Sequence, residues 1–142
     1  MNLPPALEPL ACAILPEEAM SRLIVTMKGN ASKEVVGLVS SLSLDPALQA
    51  LAWLYVDELE RARDICQSMN DKTGAAIHAI VHRREGDFWN ALYWWDRAGG
   101  HPALANQHPV ELTKAVQRGD LSEATIERQR REWEALAAYC AA

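Results

Sequence analysis

The sequence predicts an all-α protein built from antiparallel helical hairpins. Alanine and leucine are abundant, and β-branched residues are sparse outside two short clusters, which favours helix over strand throughout the chain. Glycine, proline and aspartate recur between runs of helix-forming residues, as expected of short helices joined by tight turns. Because 142 residues suffice for one hydrophobic core, we expect a single domain over residues 1–142.

The N-terminal part of the chain is predicted from its prolines and capping residues. Residues 1–15 are interrupted by prolines and are expected to form an extended arm with at most one helical turn. Pro16 suits the first position of a helix, and Ser32 and Asp45 suit the N-caps of the next two helices. The helix after Pro16 would bury four apolar residues at helical spacing: Met20, Leu23, Ile24 and Met27.

Helix formers and turn residues alternate over the rest of the chain. We predict a loop at residues 70–74 and helices over 58–69, 75–84, 88–98, 109–118 and 121–140. With the three N-terminal helices these make eight, arranged as four antiparallel pairs because short turns hold consecutive helices side by side. The last helix carries an interleaved set of charges that we interpret as a solvated face: Glu127, Arg128, Arg130, Arg131, Glu132 and Glu134.

The stretch from Thr73 to Pro102 holds most of the residues that could carry a function. Gly86-Asp87 separates two helical runs there, because glycine ends one helix and aspartate caps the next. Successive residues of a helix point about 100° apart, so the aromatic residues that follow cannot all face the core. At least one member of this set is expected to lie at the edge of the core or on the surface: Trp89, Tyr93, Trp94 and Trp95.

Charge and composition exclude several classes of protein. The net charge of -5 counts against a general nucleic-acid binder, which would usually be basic. No segment approaches the length of about 18 apolar residues needed to span a membrane, and the N-terminal residues lack the positive charge of a signal peptide. Cys12, Cys66 and Cys140 are far apart and are expected to be free thiols in the cytoplasm.

Three turns share a sequence pattern in which a large residue follows the turn and an alanine comes three positions later. The pattern occurs at Asp57-Glu58-Leu59-x-x-Ala62, Gly86-Asp87-Phe88-x-x-Ala91 and Gly119-Asp120-Leu121-x-x-Ala124. Periods of about 30 residues built from helix pairs are typical of stacked helical hairpins. Over residues 45–131 the chain therefore resembles tetratricopeptide repeats, which implies a right-handed, tetratricopeptide-like stack. The alternative is a compact helical bundle that uses the same turns without repeating.

A longer motif resembles a family of uncharacterised bacterial and fungal proteins. The matching residues run HAIVHRREGDFWNALYW from His78 to Trp94 and are followed by His101-Pro102 and by residues 132–140. The shared core has the form HAIxHRREGDxxNAxYW with a trailing HP, and the resemblance covers roughly residues 50–142. The resemblance implies a common core but no known activity, cofactor or mechanism.

The histidines of this motif suggest a metal site. His78 and His82 lie four residues apart on one face of one helix, with Glu85 about one turn beyond them. Together with His101 they could supply the ligands of a divalent metal ion. The spacing is not that of the HExxH metalloprotease motif, because alanine occupies the position of its catalytic base. The alternatives are a buried polar network around the two imidazoles and a surface pair without a role.

Arg83, Arg84, Glu85 and Asp87 also allow two interpretations. They would either pin the turn through solvent-facing ion pairs or form an anion site, in which arginine holds a carboxylate or phosphate. The complete set of candidate ligand-binding residues joins both clusters and two neighbours: His78, His82, Arg83, Arg84, Glu85, Asp87, Asn90, Trp94 and His101.

These observations lead to two functional predictions. No cysteine lies near a histidine or aspartate in the sequence, and no Gly-x-Ser-x-Gly motif occurs, so nucleophilic catalysis has little support. The first prediction is a helical-hairpin domain without catalysis or cofactor that binds a protein or peptide partner or forms a homodimer. The alternative is a metal- or anion-dependent enzyme or sensor centred on His78, His82, Glu85 and His101.

Overall fold

Every regular element of the chain is a helix, which confirms the predicted fold class. The computed structural model describes residues 1–142 and contains seven α-helices and two 3-10 helices. The α-helices are α1 (Lys33–Ser41), α2 (Pro46–Tyr55), α3 (Leu59–Cys66), α4 (Lys72–Glu85), α5 (Phe88–Arg97), α6 (Pro109–Gln117) and α7 (Glu123–Ala141). The 3-10 helices are Pro5–Cys12 and Pro102–Leu104. None of these helices combines the length and the apolar character needed to cross a membrane.

The α-helices pack in chain order and then close on themselves. Each helix from α2 to α7 packs against the next, α4 also contacts α2, and α7 returns to pack against α2. At the closing contact, the indole Nε1 of Trp133 donates a hydrogen bond of 2.9 Å to the Leu51 carbonyl. The Trp133 ring also lies 5.4 Å from the ring of Tyr55. Because the last helix meets the first hairpin, the arrangement is compact.

The three turns with a shared sequence pattern also share one backbone geometry. Their first residues all have positive φ, namely 64° at Asp57, 82° at Gly86 and 89° at Gly119. In each turn the next N–H donates to the carbonyl five residues earlier: Glu58 to Trp53, Asp87 to His82 and Asp120 to Ala115. This Schellman arrangement satisfies carbonyl groups that would otherwise be free at the end of a helix. The sequence pattern therefore corresponds to a repeated structural turn.

The side-chain packing repeats in two of these turns and not in the third. Ala62 and Ala91 are fully buried, so the helices of the first two pairs approach closely at these positions. After the third turn both Leu121 and Ala124 are exposed, and the N-cap of α7 is Ser122. The packing predicted from the pattern is therefore limited to α2–α3 and α4–α5.

The N-terminal residues are not an extended arm. Pro5–Cys12 form a 3-10 helix that packs against α1 and α2. Residues three apart lie on the same side of such a helix, and Leu7 and Leu10 are both fully buried. The prolines that interrupt the sequence are compatible with this helix, and the two leucines hold it on the core.

The helix predicted after Pro16 does not form. Residues 16–31, which we call the N-terminal strap, contain only turns and irregular backbone. Two residues of its predicted apolar stripe, Met20 and Leu23, are buried, whereas Met27 is 70% exposed. The apolar residues thus reach the core without a helix, and Met20 does so with a positive φ of 54°.

Side chains of α4 and α7 replace helix hydrogen bonds in the N-terminal strap. Three strap carbonyls accept hydrogen bonds of 2.8 to 3.0 Å from them: Ala19 from Arg130, Met20 from Gln129 and Arg22 from Arg84. Those carbonyls are acceptors that a helix would need for its own N–H groups. Their use by other elements explains why the strap stays irregular although its apolar spacing is helical.

Two further predictions need correction. The predicted loop at residues 70–74 belongs largely to α4, which begins at Lys72 because the Asp71 side chain caps its first turn. The charged side of α7 is not a solvated face, since Arg130 and Glu132 are buried. Both of these buried groups have partners in other elements, which the sequence alone does not indicate.

Candidate functional site

The motif His82-Arg83-Arg84-Glu85 ends α4, and its side chains leave the helix in different directions. Because successive helical residues point about 100° apart, neighbours in the motif reach different parts of the molecule. Arg83 reaches α7, Arg84 reaches the N-terminal strap and the α2–α3 turn, and Glu85 reaches α3. The single polar cluster predicted from the sequence is therefore divided among separate contacts.

The Arg83 guanidinium is fully buried and forms a bidentate ion pair with Glu132 of α7. Its Nη2 lies 2.8 Å from Glu132 Oε1, and its Nη1 lies 3.1 Å from Oε2. Nη2 also donates to the side-chain oxygen of Gln129 at 3.3 Å. Two parallel hydrogen bonds fix direction as well as distance, so this pair sets the register between α4 and α7.

The Arg84 guanidinium is also fully buried, and it joins three segments. It donates to the Asp57 carboxylate at 2.6 Å and to the carbonyls of Leu54 and Arg22 at 2.9 Å each. Burial lowers the pKa of Arg84, while the Asp57 carboxylate acts in the opposite direction. The guanidinium remains charged because its ordinary pKa is so high, and it ties the α2–α3 turn to the N-terminal strap.

Neither interpretation of the arginines from the sequence is correct. Arg83 and Arg84 do not face solvent, and their partners lie on other elements rather than in the α4–α5 turn. The terminal guanidinium nitrogens of both arginines donate hydrogen bonds within the protein, and their Nε atoms, which lack a partner, are buried. An anion site requires accessible donors. These two residues are therefore part of the structure and not of a ligand site.

The His78 imidazole is buried against α5, where it stacks on Trp94. The two ring centroids lie 4.1 Å apart with an interplanar angle of 10°. The His82 ring lies 6.0 Å from the His78 ring, with an interplanar angle of 18°. The predicted proximity of the two histidines is confirmed, and Trp94 is part of the same cluster.

Both imidazoles retain a nitrogen without a hydrogen bond. The Nδ1 atoms of His78 and His82 are buried and have no partner. The Asp87 carboxylate lies 3.9 Å from His82 Nδ1, which is too long for a hydrogen bond. Burial lowers the pKa of His78, and the neighbouring His82 acts in the same direction. His78 is therefore a neutral ring in an aromatic stack at neutral pH.

The four predicted metal ligands are not brought together. Glu85 forms an ion pair of 3.1 Å with Arg63 of α3. His101 is engaged at both nitrogens, since Nδ1 accepts from the Ala103 N–H at 3.1 Å and Nε2 lies 2.9 Å from Thr73 Oγ1. No group of three or more His, Cys, Asp or Glu side chains in residues 1–142 is arranged to hold a metal ion. The metal site centred on these four residues is thus corrected to a histidine pair and two separate structural contacts.

Asp87 and Asn90 serve the start of α5. The Asp87 carboxylate accepts from the Asn90 N–H at 3.3 Å and from the Asn90 side-chain amide at 2.6 Å. These hydrogen bonds lower the pKa of Asp87, so it is a carboxylate at neutral pH. The predicted N-cap is confirmed.

The side chains of Trp89, Tyr93 and Arg97 form an exposed surface on α5 that we call the aromatic face. Trp89 is 76% exposed and Tyr93 is 47% exposed, with their rings 6.2 Å apart and inclined by 6°. The Arg97 guanidinium lies 5.7 Å from the Tyr93 ring and 5.4 Å from the Trp94 ring. Trp95, in contrast, is buried and donates to Thr113. The prediction that α5 places an aromatic residue at the surface is confirmed.

The sequence contains no signal for a cleft of about 690 Å³ between the N-terminal strap and α3. Its charged lining residues pair with one another: Lys28 with Glu60, Arg61 with Glu58 and Arg63 with Glu85. The cleft arises where the strap crosses a helix about 30 residues later in the chain, which no local pattern can indicate. Because most of its charges already have partners, it offers few groups to a ligand.

Known proteins do not assign a function to this arrangement. Comparisons of the chain with protein-family models, curated proteins and solved structures found no match. The resemblances to tetratricopeptide repeats and to the bacterial and fungal family therefore stay predictions.

Proposed function

We propose that the protein is an interaction module that binds another polypeptide through the aromatic face of α5 and performs no catalysis. The observation that carries this proposal is the 76% exposure of Trp89 beside the half-exposed Tyr93. Covering apolar surface stabilises a complex by about 25 cal/mol per Å². Tryptophan, tyrosine and arginine are also the residues enriched where binding energy concentrates. All three occur together on this face.

The aromatic face is held in place before a partner arrives. The Tyr93 ring meets the Trp94 ring edge-to-face at 5.4 Å, and Trp94 is stacked on the buried His78. Arg97 packs over the Tyr93 ring and places Nη1 3.4 Å from its hydroxyl. Side chains that are already ordered lose little conformational entropy on binding, which favours association.

The metal- or anion-dependent alternative has less support. Arg83 and Arg84 are buried in ion pairs, and Glu85 and His101 are bound to other residues. Among the four candidate metal ligands only His78 and His82 keep an unpaired nitrogen, and two ligands are fewer than protein sites for zinc normally use.

The thiols favour an intracellular setting for this module. None of the three cysteines is in a disulfide, and Cys66 is buried where a second cysteine does not meet it. Free thiols persist in reducing compartments. We therefore propose the cytoplasm as the place where the module binds its partner.

The proposal is tested by site-specific photo-cross-linking in the native cell. Tyr93 is replaced by the photoreactive p-benzoyl-phenylalanine, which keeps an aromatic ring at this exposed position, and Leu121 is replaced in a matched control. Leu121 is 58% exposed and lies on a different element. We expect a discrete covalent adduct from position 93 and none from position 121.

A second variant shows whether the adduct depends on the aromatic face. Adding Trp89→Ala to the photoreactive chain should abolish the adduct, because Trp89 is the largest exposed ring of the face. An adduct that persists with Trp89→Ala, or no adduct from position 93, would show that this face binds no polypeptide.

A further inference from the structure

We infer that the polypeptide bound by the aromatic face is a second copy of this chain, docked about a two-fold axis that passes near Tyr93. This inference rests on the proposed function, because it names the partner of the same surface. Three steps lead to it: the spacing of the residues, the cation that one ring lacks, and the charges at the two ends of α5.

The spacing makes the aromatic face complementary to itself. Trp89, Tyr93 and Arg97 follow one another at intervals of four residues and so lie on one stripe of α5. The helical rise places Trp89 and Arg97 about 6 Å on either side of Tyr93 along the axis. If two copies of the stripe face each other in antiparallel orientation, Trp89 meets the partner's Arg97 while Arg97 meets the partner's Trp89. Such reciprocal contacts define a two-fold interface.

The aromatic rings differ in whether they have a cation. Arg97 lies within 5.7 Å of the Tyr93 and Trp94 ring centroids, but no cation lies over the Trp89 ring. Tryptophan is the most favourable aromatic partner for a guanidinium. In the antiparallel pair, the partner's Arg97 lies over the exposed Trp89 ring and provides the missing contact.

The two ends of α5 also bear on the orientation. Its N-terminus carries the Asp87 carboxylate, whose side chain is 42% exposed, and its last turn carries Arg97 together with the exposed Asp96. Antiparallel pairing brings the carboxylate end of each helix toward the arginine end of the other. Opposed helix dipoles favour this pairing as well. A parallel arrangement would place like ends of the two helix dipoles together, so the dipoles favour the antiparallel one.

The size of the face indicates a weak dimer. A fully buried tryptophan or tyrosine covers about 150–250 Å², and both rings here are already partly covered. The face therefore falls below the roughly 600 Å² per partner at the lower end of stable interfaces. Each copy also carries a net charge of -5, and this repulsion is screened over about 8 Å at physiological salt. We expect a reversible dimer with a dissociation constant on the order of micromolar or higher.

The test is a mixing experiment in the analytical ultracentrifuge with the purified full chain. Wild-type protein should dimerise as its concentration rises, and Trp89→Ala and Arg97→Ala should each weaken self-association by about tenfold or more. Each variant alone has lost both Trp89–Arg97 contacts of the dimer. A mixed dimer of the two variants keeps one contact intact, between Trp89 of one copy and the unchanged Arg97 of the other.

The mixed dimer is the result that distinguishes this geometry. Trp89→Ala protein, labelled on the exposed thiol of Cys12, is titrated with unlabelled Arg97→Ala protein or with unlabelled Trp89→Ala protein. We expect the first titration to give the tighter association, by about threefold or more. Leu121→Ala serves as a control that should dimerise like wild type, and circular dichroism checks that every variant is folded.

The outcomes separate this inference from the proposed function. Equal affinities in the two titrations would overturn the two-fold arrangement, as would a wild-type chain that stays monomeric at all accessible concentrations. If the chain is monomeric and its Tyr93 photo-adduct in cells has a mass other than that of two copies of 15.7 kDa, the partner is not a second copy of this chain. That result would overturn this inference and leave the proposed interaction module intact. The absence of any adduct would overturn the proposed function itself.

Discussion

The polar side chains on the two sides of α4 make different kinds of contact. On one side, Arg83 and Arg84 have no exposed surface, and their guanidinium groups bond to α7, the N-terminal strap and the α2–α3 turn. On the other side, the His78 and His82 rings stack with each other, and His78 stacks on Trp94 of α5. The first side joins distant parts of the chain, and the second leads to an exposed surface.

The comparison shows how one helix can serve both stability and binding. Removing one partner of a buried ion pair leaves an uncompensated charge, so the arginine side tolerates little change. Stacked neutral rings lose mainly contact area when they are altered. We therefore expect the free energy of unfolding to depend strongly on the arginine side and weakly on the aromatic face, in the following order.

The largest loss of stability should follow Glu132→Leu. This change leaves the fully buried Arg83 without its ion-pair partner, and we expect the free energy of unfolding to fall by about 3–5 kcal/mol. Urea unfolding followed by circular dichroism measures it. The double variant Arg83→Met/Glu132→Leu should recover most of the loss, whereas Arg131→Met, at an exposed position on the same helix, should change stability by less than about 0.5 kcal/mol. A double variant as unstable as the single one would contradict the assigned role of the pair.

A smaller loss should follow Arg84→Lys. Lysine keeps the charge but cannot reach Asp57, Leu54 and Arg22 at once, and losing charged hydrogen bonds costs about 1.5–3 kcal/mol. The N-terminal strap should also become easier to release, so limited trypsin digestion should cut it faster than in wild type. Arg63→Lys, at a more exposed ion pair, is the matched control and should leave the cutting rate unchanged. Equal cutting rates in the two variants would show that Arg84 does not hold the strap in place.

The histidine side should appear as a dependence of stability on pH. Burial and His82 lower the pKa of His78, and Arg63 acts in the same direction, so the unfolded chain binds a proton that the folded chain does not. Stability should therefore fall as pH drops below the ordinary histidine pKa of about 6.5, by at most about 1.4 kcal/mol per pH unit for this one proton. Urea unfolding between about pH 7.5 and about pH 5.5 should show a shallower fall for His78→Leu than for wild type. Equal slopes in His78→Leu and wild type would refute this assignment.

The smallest effect on stability should come from the aromatic face. Trp89→Ala removes a side chain that is 76% exposed, and we expect the free energy of unfolding to change by less than about 0.5 kcal/mol. The same variant should lose most of its self-association. Urea unfolding and sedimentation of one preparation measure both quantities. A loss of stability that matches the loss of association would show that Trp89 is a core residue. The expected contrast between the arginine side of α4 and the aromatic face would then be wrong.

Local sequence signals were sufficient for most of the helices and turns. Ser32, Asp87 and the glycines at the turns act through residues no more than five positions away, which is why their effects could be predicted. Helix geometry alone also predicts that at least one aromatic residue of α5 lies at the edge of the core or on the surface. The candidate site was predictable only in part. The proximity of His78 and His82 could be predicted because it is a local property of one helix.

Long-range contacts account for what could not be predicted. The partner of Arg83 is 49 residues away and that of Arg84 is 27 residues away, so the motif looked like one surface cluster. The strap has helical apolar spacing, but the side chains that take its carbonyls come from α4 and α7. Only the assembled fold decides between the local preference for helix and these distant donors.

The attachment of the N-terminal strap also affects the order in which the protein can fold. Its carbonyls at Ala19 and Met20 bond to residues of α7 that are 111 and 109 positions later in the chain. Closing such long loops is entropically costly and slows folding, because the partners must find each other after the intervening chain has collapsed. During synthesis at about 5–20 residues per second, the strap leaves the ribosome several seconds before its partners exist. The segment made early is therefore among the last to acquire its native contacts, and until then its apolar residues are open to chaperones.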